Sequence, residues 1–268
     1  MRKFFILLCA MLLTTQFAAS QKNLYVVTKT GELYVYPAEK VSFGASLQDV
    51  PSDKDSLQDV PSDKDSLQDN TKIINGHKFI DLGLPSGLLW AETNIGAETA
   101  ADDGNYYAWG ETNPKHSTRY YWSSYKYGTS ISNMTKYNSS DGKTTLDPED
   151  DAACVNWGDS CRMPTDDEFG ELLDSANCTW TWTSMTTSDG SSINGYQVTS
   201  VKNGNSIFLP VSCYIYYGNS YLGGYSWSRT LDSSHSGKAY GLDFHRSSHG
   251  QDSYYRCYGL PVRPVAEP

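Results

Sequence analysis

Between Cys213 and Tyr258 the chain concentrates residue types that make contacts. Nine tyrosines fall from Tyr214 to Tyr258, among many Ser, Gly and Asn. Tyrosine offers a large rigid ring with a polar tip, and Ser, Gly and Asn offer adaptable hydrogen bonding, the mixture used by antibody binding loops. Hydrophobic anchor segments alternate with these runs. The candidate ligand contacts between the anchors are Tyr214, Tyr216, Tyr217, Asn219, Tyr221, Arg229, His235, His245, Arg246, His249, Asp252, Tyr254, Tyr255 and Arg256. Aromatic faces beside planar polar groups suit a glycan, and the same set suits a protein surface. The competing reading is a tyrosine-rich surface with no partner.

Signals for catalysis are missing from the sequence. It has no Ser/His/Asp arrangement, no phosphate loop and no His-Glu-x-x-His motif. His235, His245 and His249 could gather round a metal, but histidines in loops are more often solvated. The acidic run Glu149-Asp150-Asp151 lacks the shaped oxygen-ligand loop that calcium needs, and reads instead as a helix start. The chain is therefore expected to be non-enzymatic, with no cofactor and no metal.

Five cysteines follow the first twenty residues: Cys154, Cys161, Cys178, Cys213 and Cys257. An odd number cannot close a complete disulfide framework within one chain, and the spacing matches no zinc ribbon or redox pair. Most read as free core thiols, with their pairing left open.

The net charge of −10 and a sequence pI near 4.9 argue against a phosphate-backbone partner, so no nucleic acid is expected. Apolar content is 38% and aromatic content 13%, so aromatic rings must build much of the core. Residues 1–20 read as a signal peptide: Arg2 and Lys3, an apolar stretch from Phe4 to Leu13, then Ala18-Ala19-Ser20. That stretch is too short for a membrane span and no other segment qualifies, so an exported protein is expected, periplasmic, secreted or on the cell surface. Residues 21–45 read as a short β element. Residues 46–72 carry a decapeptide that recurs unchanged, Ser46 to Asp55 and Ser56 to Asp65, and read as a disordered linker. Residues 73–268 read as one domain.

Within it, Ile73-Ile74 with His77 to Leu82 reads as a first strand and Leu88 to Ala91 as a second. Residues 92–146 read as mostly loop. A first helix is expected from Asp147-Pro148 through Val155, and a second from Thr165 to Leu173, where Thr165 and Glu168 stand at capping-box spacing. Lys202-Asn203-Gly204-Asn205 between two alternating runs signals a hairpin. Tyr240, Leu242 and Phe244 alternate with Ala239, Gly241 and Asp243 as a half-buried strand. Strands with two clustered helices give an α+β domain. Trp90, Trp109, Trp157, Trp180, Trp182 and Trp227 read mainly as core, and Arg263, between Val262 and Pro264, as structural.

Several segments carry a resemblance. They are Asp81 to Ala91, Tyr107-Ala108-Trp109-Gly110-Glu111-Thr112, Asn156-Trp157-Gly158 leading into Arg162-Met163-Pro164-Thr165, Ser206 to Pro210, and Val262-Arg263-Pro264-Val265. Over about residues 76–265 the chain resembles the Fibrobacter succinogenes major paralogous domain family, common in exported proteins of Bacteroides-like bacteria. The resemblance implies a C-type-lectin-like domain with short antiparallel strands, two helices and long loops. It does not imply a ligand. It points to the C-terminal strands and loops as the contact region. The chain departs from the family pattern at Cys161, at Val211 to Ile215 and at Arg229, which puts packing round Cys161 in question. The Glu-Pro-Asn or Gln-Pro-Asp motif of calcium-dependent sugar binding is missing, so a glycan would be bound without calcium.

The function expected from all this is ligand binding or adhesion, to a glycan or a surface protein, through the Tyr/Ser/Asn-rich C-terminal surface. Two alternatives stand beside it: a structural part of the cell envelope, and a formylglycine-generating-like copper oxidase. The oxidase would need two neighbouring thiolates for Cu(I), and Cys213 and Cys257 do not match that family's spacing. Oligomeric state is not legible.

Overall fold

The computed structural model describes residues 23–27, 33–37 and 71–268, which belong to two compact units divided after Lys64. In the first unit, β1 (Asn23–Val27) pairs antiparallel with β2 (Leu33–Pro37), Tyr25 lying opposite Val35. The segment 1–20 read as a signal peptide and the repeats from Ser46 to Asp69 lie outside the described residues.

The second unit already starts its first strand at Thr71, inside the segment read as linker. β3 (Thr71–Ile74) and β4 (His77–Asp81) form a hairpin, not the single strand read from the sequence. Asn75 and Gly76 turn it with φ of 51° and 84°, the two positive values of a type I′ turn. β5 (Leu89–Ala91), β6 (Cys161–Arg162) and β15 (Val265–Ala266) complete a five-stranded sheet ordered β3-β4-β5-β15-β6, so the last strand is locked between two others.

Two α-helices follow the loop region. The first starts later than expected. Pro148–Asp150 is a separate 3-10 turn, and α1 (Ala152–Trp157) begins after Asp151. The reason is local. Asp151 leaves the helical conformation to cap, its Oδ1 accepting from the Ala153 and Cys154 N–H groups at 2.9 and 3.3 Å. α2 (Asp166–Leu173) has the expected capping box of Thr165 and Glu168, and buries Phe169 and Leu172.

The rest is antiparallel β. β7 (Cys178–Thr186), β8 (Ser192–Ser200) and β9 (Ser206–Pro210) form a meander, turned at Asn203-Gly204. β10 (Cys213–Tyr216) and β11 (Asn219–Leu222) form a separate hairpin. β12 (Gly224–Leu231), β13 (Lys238–His245) and β14 (Ser248–Tyr255) form a third sheet. Mostly antiparallel sheets with two helices make an α+β domain. No helix among the described residues is long and apolar enough to cross a membrane.

Aromatic rings carry the core, as composition required. One cluster gathers Tyr107, Trp109, Tyr137, Trp157, Trp227 and Leu260; a second gathers Trp90, Phe169, Val198, Ile207, Leu242 and Phe244. β13 divides them, which corrects the half-buried reading of that strand. Its Ala239 belongs to the first cluster and its Leu242 and Phe244 to the second, so its middle is covered on both faces. Two other expectations change in detail: Trp180 and Trp182 pack only partly buried against the second cluster.

Arg263 is fully buried beside both clusters and donates to Asn94 Oδ1, Ala91 O, Glu92 O and Phe208 O. It joins β5, the loop after it and β9 to the closing segment. All five described cysteines are free thiols. Cys161 is fully buried, with its backbone N–H donated to Gly158 O. Burial pushes the thiols up, Cys178 to about 11 and Cys154 and Cys257 to about 12. Only Cys213 is half-exposed. A native thiol titration with Ellman's reagent is therefore expected to label Cys213 fast and the other four only on unfolding; fast labelling of Cys161 in the folded state would contradict this packing.

Candidate functional site

The β10–β11 hairpin gathers the tyrosines. Tyr217 and Gly218 form its two-residue turn, with φ of 51° and 77°. Gly meets this at no steric cost, but a tyrosine at positive φ is strained, and Asn or Gly would be the relaxed choice. Two contacts hold Tyr217 there. Its N–H donates to Tyr120 O at 3.2 Å, and its ring stacks on Tyr121 with centroids 5.0 Å apart. The residue is nonetheless 58% exposed. A strained backbone that displays a large ring is an observation pointing towards function.

Strand alternation sets the rest. Tyr214, Tyr216, Asn219 and Tyr221 share one face of the hairpin, with Tyr214 opposite Tyr221. Tyr214 is sandwiched between Tyr221 at 4.6 Å and Tyr258 at 5.0 Å, all three rings nearly parallel. Tyr258 also touches Tyr216 and Tyr255, and Tyr255 meets Trp122 edge-on. Behind Tyr214, Tyr225 packs edge-on against it, and Tyr254 packs tilted against Tyr214 and edge-on against Tyr225. Burial pushes the Tyr214, Tyr216 and Tyr258 phenols up, and that of Tyr225 to about 12, so these rings keep neutral, donating hydroxyls at neutral pH. The result is one connected aromatic patch, at whose rim Tyr221 is 42% exposed.

Of the residues singled out in the sequence, Tyr214, Tyr216, Tyr217, Asn219, Tyr221, Tyr254 and Tyr255 meet in this patch. Asp252 lies on the Tyr254 face of β14, and His245 meets Tyr225 edge-on at the rim. Arg246 is exposed in the β13–β14 turn. His249 points to the opposite face, where it stacks on Trp180 at 4.5 Å, and burial lowers its pKa. His235 pairs with Asp232 in the turn before β13. The three histidines therefore do not converge.

Two candidates are corrected. Arg256 is fully buried: it donates to Tyr125 Oη, Ser236 O, Tyr137 O and Lys136 O, and lies over the Trp109 ring at 4.8 Å. The chain turns inward after β14, so this side chain stitches loops together and cannot reach a ligand. Arg229 also points inward, donating to Leu146 O with Nε 3.6 Å from Asp151. Both act as positioning groups; Arg256 fixes the loop that carries Tyr121 and Trp122.

Those two rings and Tyr258 were missed as contacts. Their signal was the aromatic run Tyr120-Tyr121-Trp122 in a loop otherwise rich in Gly, Asn and Ser, but nothing local ties that run to a hairpin almost a hundred residues later.

Among the described residues, carboxylate oxygens of Asp147, Glu149 and Asp150 come within 4.8 Å of one another. An ammonium already stands among them: Lys136 Nζ lies 2.7, 3.6 and 2.5 Å from the three. An open cleft of about 320 Å³ lined by Glu111, Thr112, Asn113, Pro114, Lys115, Ser124 and Lys126 has its charges already paired, Lys115 with Glu111 at 2.5 Å and Lys126 with Asp150 at 2.9 Å. Neither feature rivals the tyrosine patch. Comparison with family models, with curated proteins and with solved structures finds no match to this chain.

Proposed function

We propose that the protein is an exported, non-enzymatic binding or adhesion module that recognises a glycan or a protein through the tyrosine patch of the β10–β11 hairpin. The domain is read as C-type-lectin-like and as related to the Fibrobacter succinogenes major paralogous domain family, on the motifs quoted above. The observation that carries the functional reading is Tyr217: its ring is displayed at the tip of the hairpin at a backbone conformation that costs energy, beside an exposed Tyr221 and a continuous stack of rings. Packing alone would be better served by Asn there. Rigid aromatic anchors at the centre of a contact surface commonly carry about 2 kcal/mol or more of binding energy each.

The test is a glycan and host-matrix array probed with the whole protein, with and without a chelator. The expected result is a specific hit, unaffected by chelation, that weakens at least about tenfold in Tyr217→Asn and in Tyr221→Ser. Tyr217→Asn should leave the melting temperature unchanged or raised, because Asn tolerates the turn conformation. A hit insensitive to both substitutions, or no hit in either condition, would overturn the assignment of this surface.

A further inference from the structure

We propose that β11 is a docking edge that accepts an extended, basic peptide segment of a protein partner as an added strand. The inference rests on reading the hairpin as the contact surface, and it names the partner.

The hydrogen-bond pattern shows which groups are free. Ile215 exchanges both backbone bonds with Gly259, at 2.9 Å each, on the side of β10 away from β11. In an antiparallel pair, bonded and non-bonded positions alternate. Tyr214↔Tyr221 and Tyr216↔Asn219 are therefore the bonded pairs within the hairpin, and the Gly223 N–H to Ser212 O bond continues the same alternation. It follows that Ser220 and Leu222 aim their N–H and C=O groups outward, and no described residue meets them. Two donors and two acceptors in strand spacing are what an extended backbone recognises.

Natural edges are blunted by Lys, Pro, bulges or covering elements. Asn219-Ser220-Tyr221-Leu222 has no charge and no Pro, pairs with β10 in unbroken register, and is exposed at every residue. Its two faces differ in chemistry. Tyr221 projects into the ring stack on one side, and Leu222 projects almost bare on the other. An added strand would meet an aromatic wall at one set of its alternate side chains and an aliphatic one at the other.

Charge selects among strands. Beyond Tyr214 lies Tyr254, and on that same face of β13 and β14 stand Asp243 and Asp252, diagonal neighbours across the pair. No described cation forms an ion pair with either. His245 is the positively chargeable neighbour on this face, and Arg246 follows it in the exposed turn. With a net charge of −10 on the whole chain, a Lys or Arg on the incoming segment is favoured during approach. Four edge residues are too few to bury what a stable dimer needs, which favours a peptide segment over a second copy.

The experiment uses the whole protein and the peptide Lys-Val-Thr-Val-Lys-Thr, followed by titration calorimetry and by amide signals in NMR. Peptides N-methylated at alternate amides are compared in the two registers. Methylation in one register should weaken binding at least about tenfold and in the other hardly at all. Leu222→Pro removes one outward donor without touching the β10–β11 bonds, and should weaken binding by a similar factor. Asp243→Asn with Asp252→Asn should weaken binding and flatten its salt dependence. Equal effects of the two methylation registers, or full affinity in Leu222→Pro, would overturn the proposal. So would concentration-dependent dimers, dissolved by Leu222→Pro, in a protein that ignores the peptide. An array hit that is lost in Tyr217→Asn and kept in Leu222→Pro would sink the strand-addition proposal while leaving the proposed function standing.

Discussion

Arg263→Ala is expected to cost about 3–5 kcal/mol of stability, enough to unfold much of a marginally stable domain. The guanidinium is inaccessible to solvent, and burial pushes its pKa down. It has no carboxylate partner within ion-pair distance among the described residues. Four oxygens, from Asn94, Ala91, Glu92 and Phe208, solvate it in place of water. Removing the side chain leaves those acceptors in a dry site and opens a cavity beside the last strand. Arg263→Lys should also destabilise, by about 2 kcal/mol, because one ammonium cannot reach oxygens arranged round a planar fork. Urea unfolding monitored by tryptophan fluorescence measures both. A loss under about 1 kcal/mol for the alanine variant would mean that the closing segment is held by β15 pairing alone.

Asp150→Ala is the second large effect, also expected at about 3 kcal/mol or more. Asp150 is 2% exposed and accepts from Lys126 at 2.9 Å, Lys136 at 2.5 Å and Tyr137 at 2.6 Å, and from the Tyr127 hydroxyl. Without it, two ammonium groups and two phenols lose their common acceptor. The same hub predicts a pH dependence. Burial alone would raise the Asp150 carboxyl, but donation from Lys136, Tyr127, Tyr137 and Lys126 overcomes it and holds the pKa well below the usual carboxylate range. A depressed folded pKa gives stability that is fully present above the unfolded value of 3.8 and is lost as pH falls below it. Melting temperature should therefore drop steeply under about pH 4, and Asp150→Asn, already lower at pH 7, should show a shallower drop. Parallel acid profiles for the two proteins would place the acid sensitivity elsewhere.

Local signals in the chain settled a good part of the architecture. The Thr165–Glu168 capping box, the Asn203-Gly204 turn and the structural reading of Arg263 each depend on residues close in sequence or on one strongly buried type, whereas β9, read as alternating, is buried from Ile207 through Pro210. Where local rules competed, the sequence misled. Pro148 and Asp151 both favour a helix start, and Asp151 took the cap because Met163 N–H also reaches it, at 3.0 Å, a contact made only after folding. The β13 pattern looked half-buried because alternation reports one covered face, and cannot show that a strand lies between two cores.

The candidate surface divides the same way. By itself the sequence determined that Tyr, Ser and Asn crowd the C-terminal region, since composition needs no geometry. Tertiary structure alone decided which of them face outward. It turned Arg229 and Arg256 inward to satisfy carbonyls of distant loops, sent His249 to the far side of β14, and brought Tyr121 and Trp122 beside Tyr217 and Tyr255. Those outcomes depend on contacts between residues far apart in the chain, and period-two or turn rules act only over a few residues.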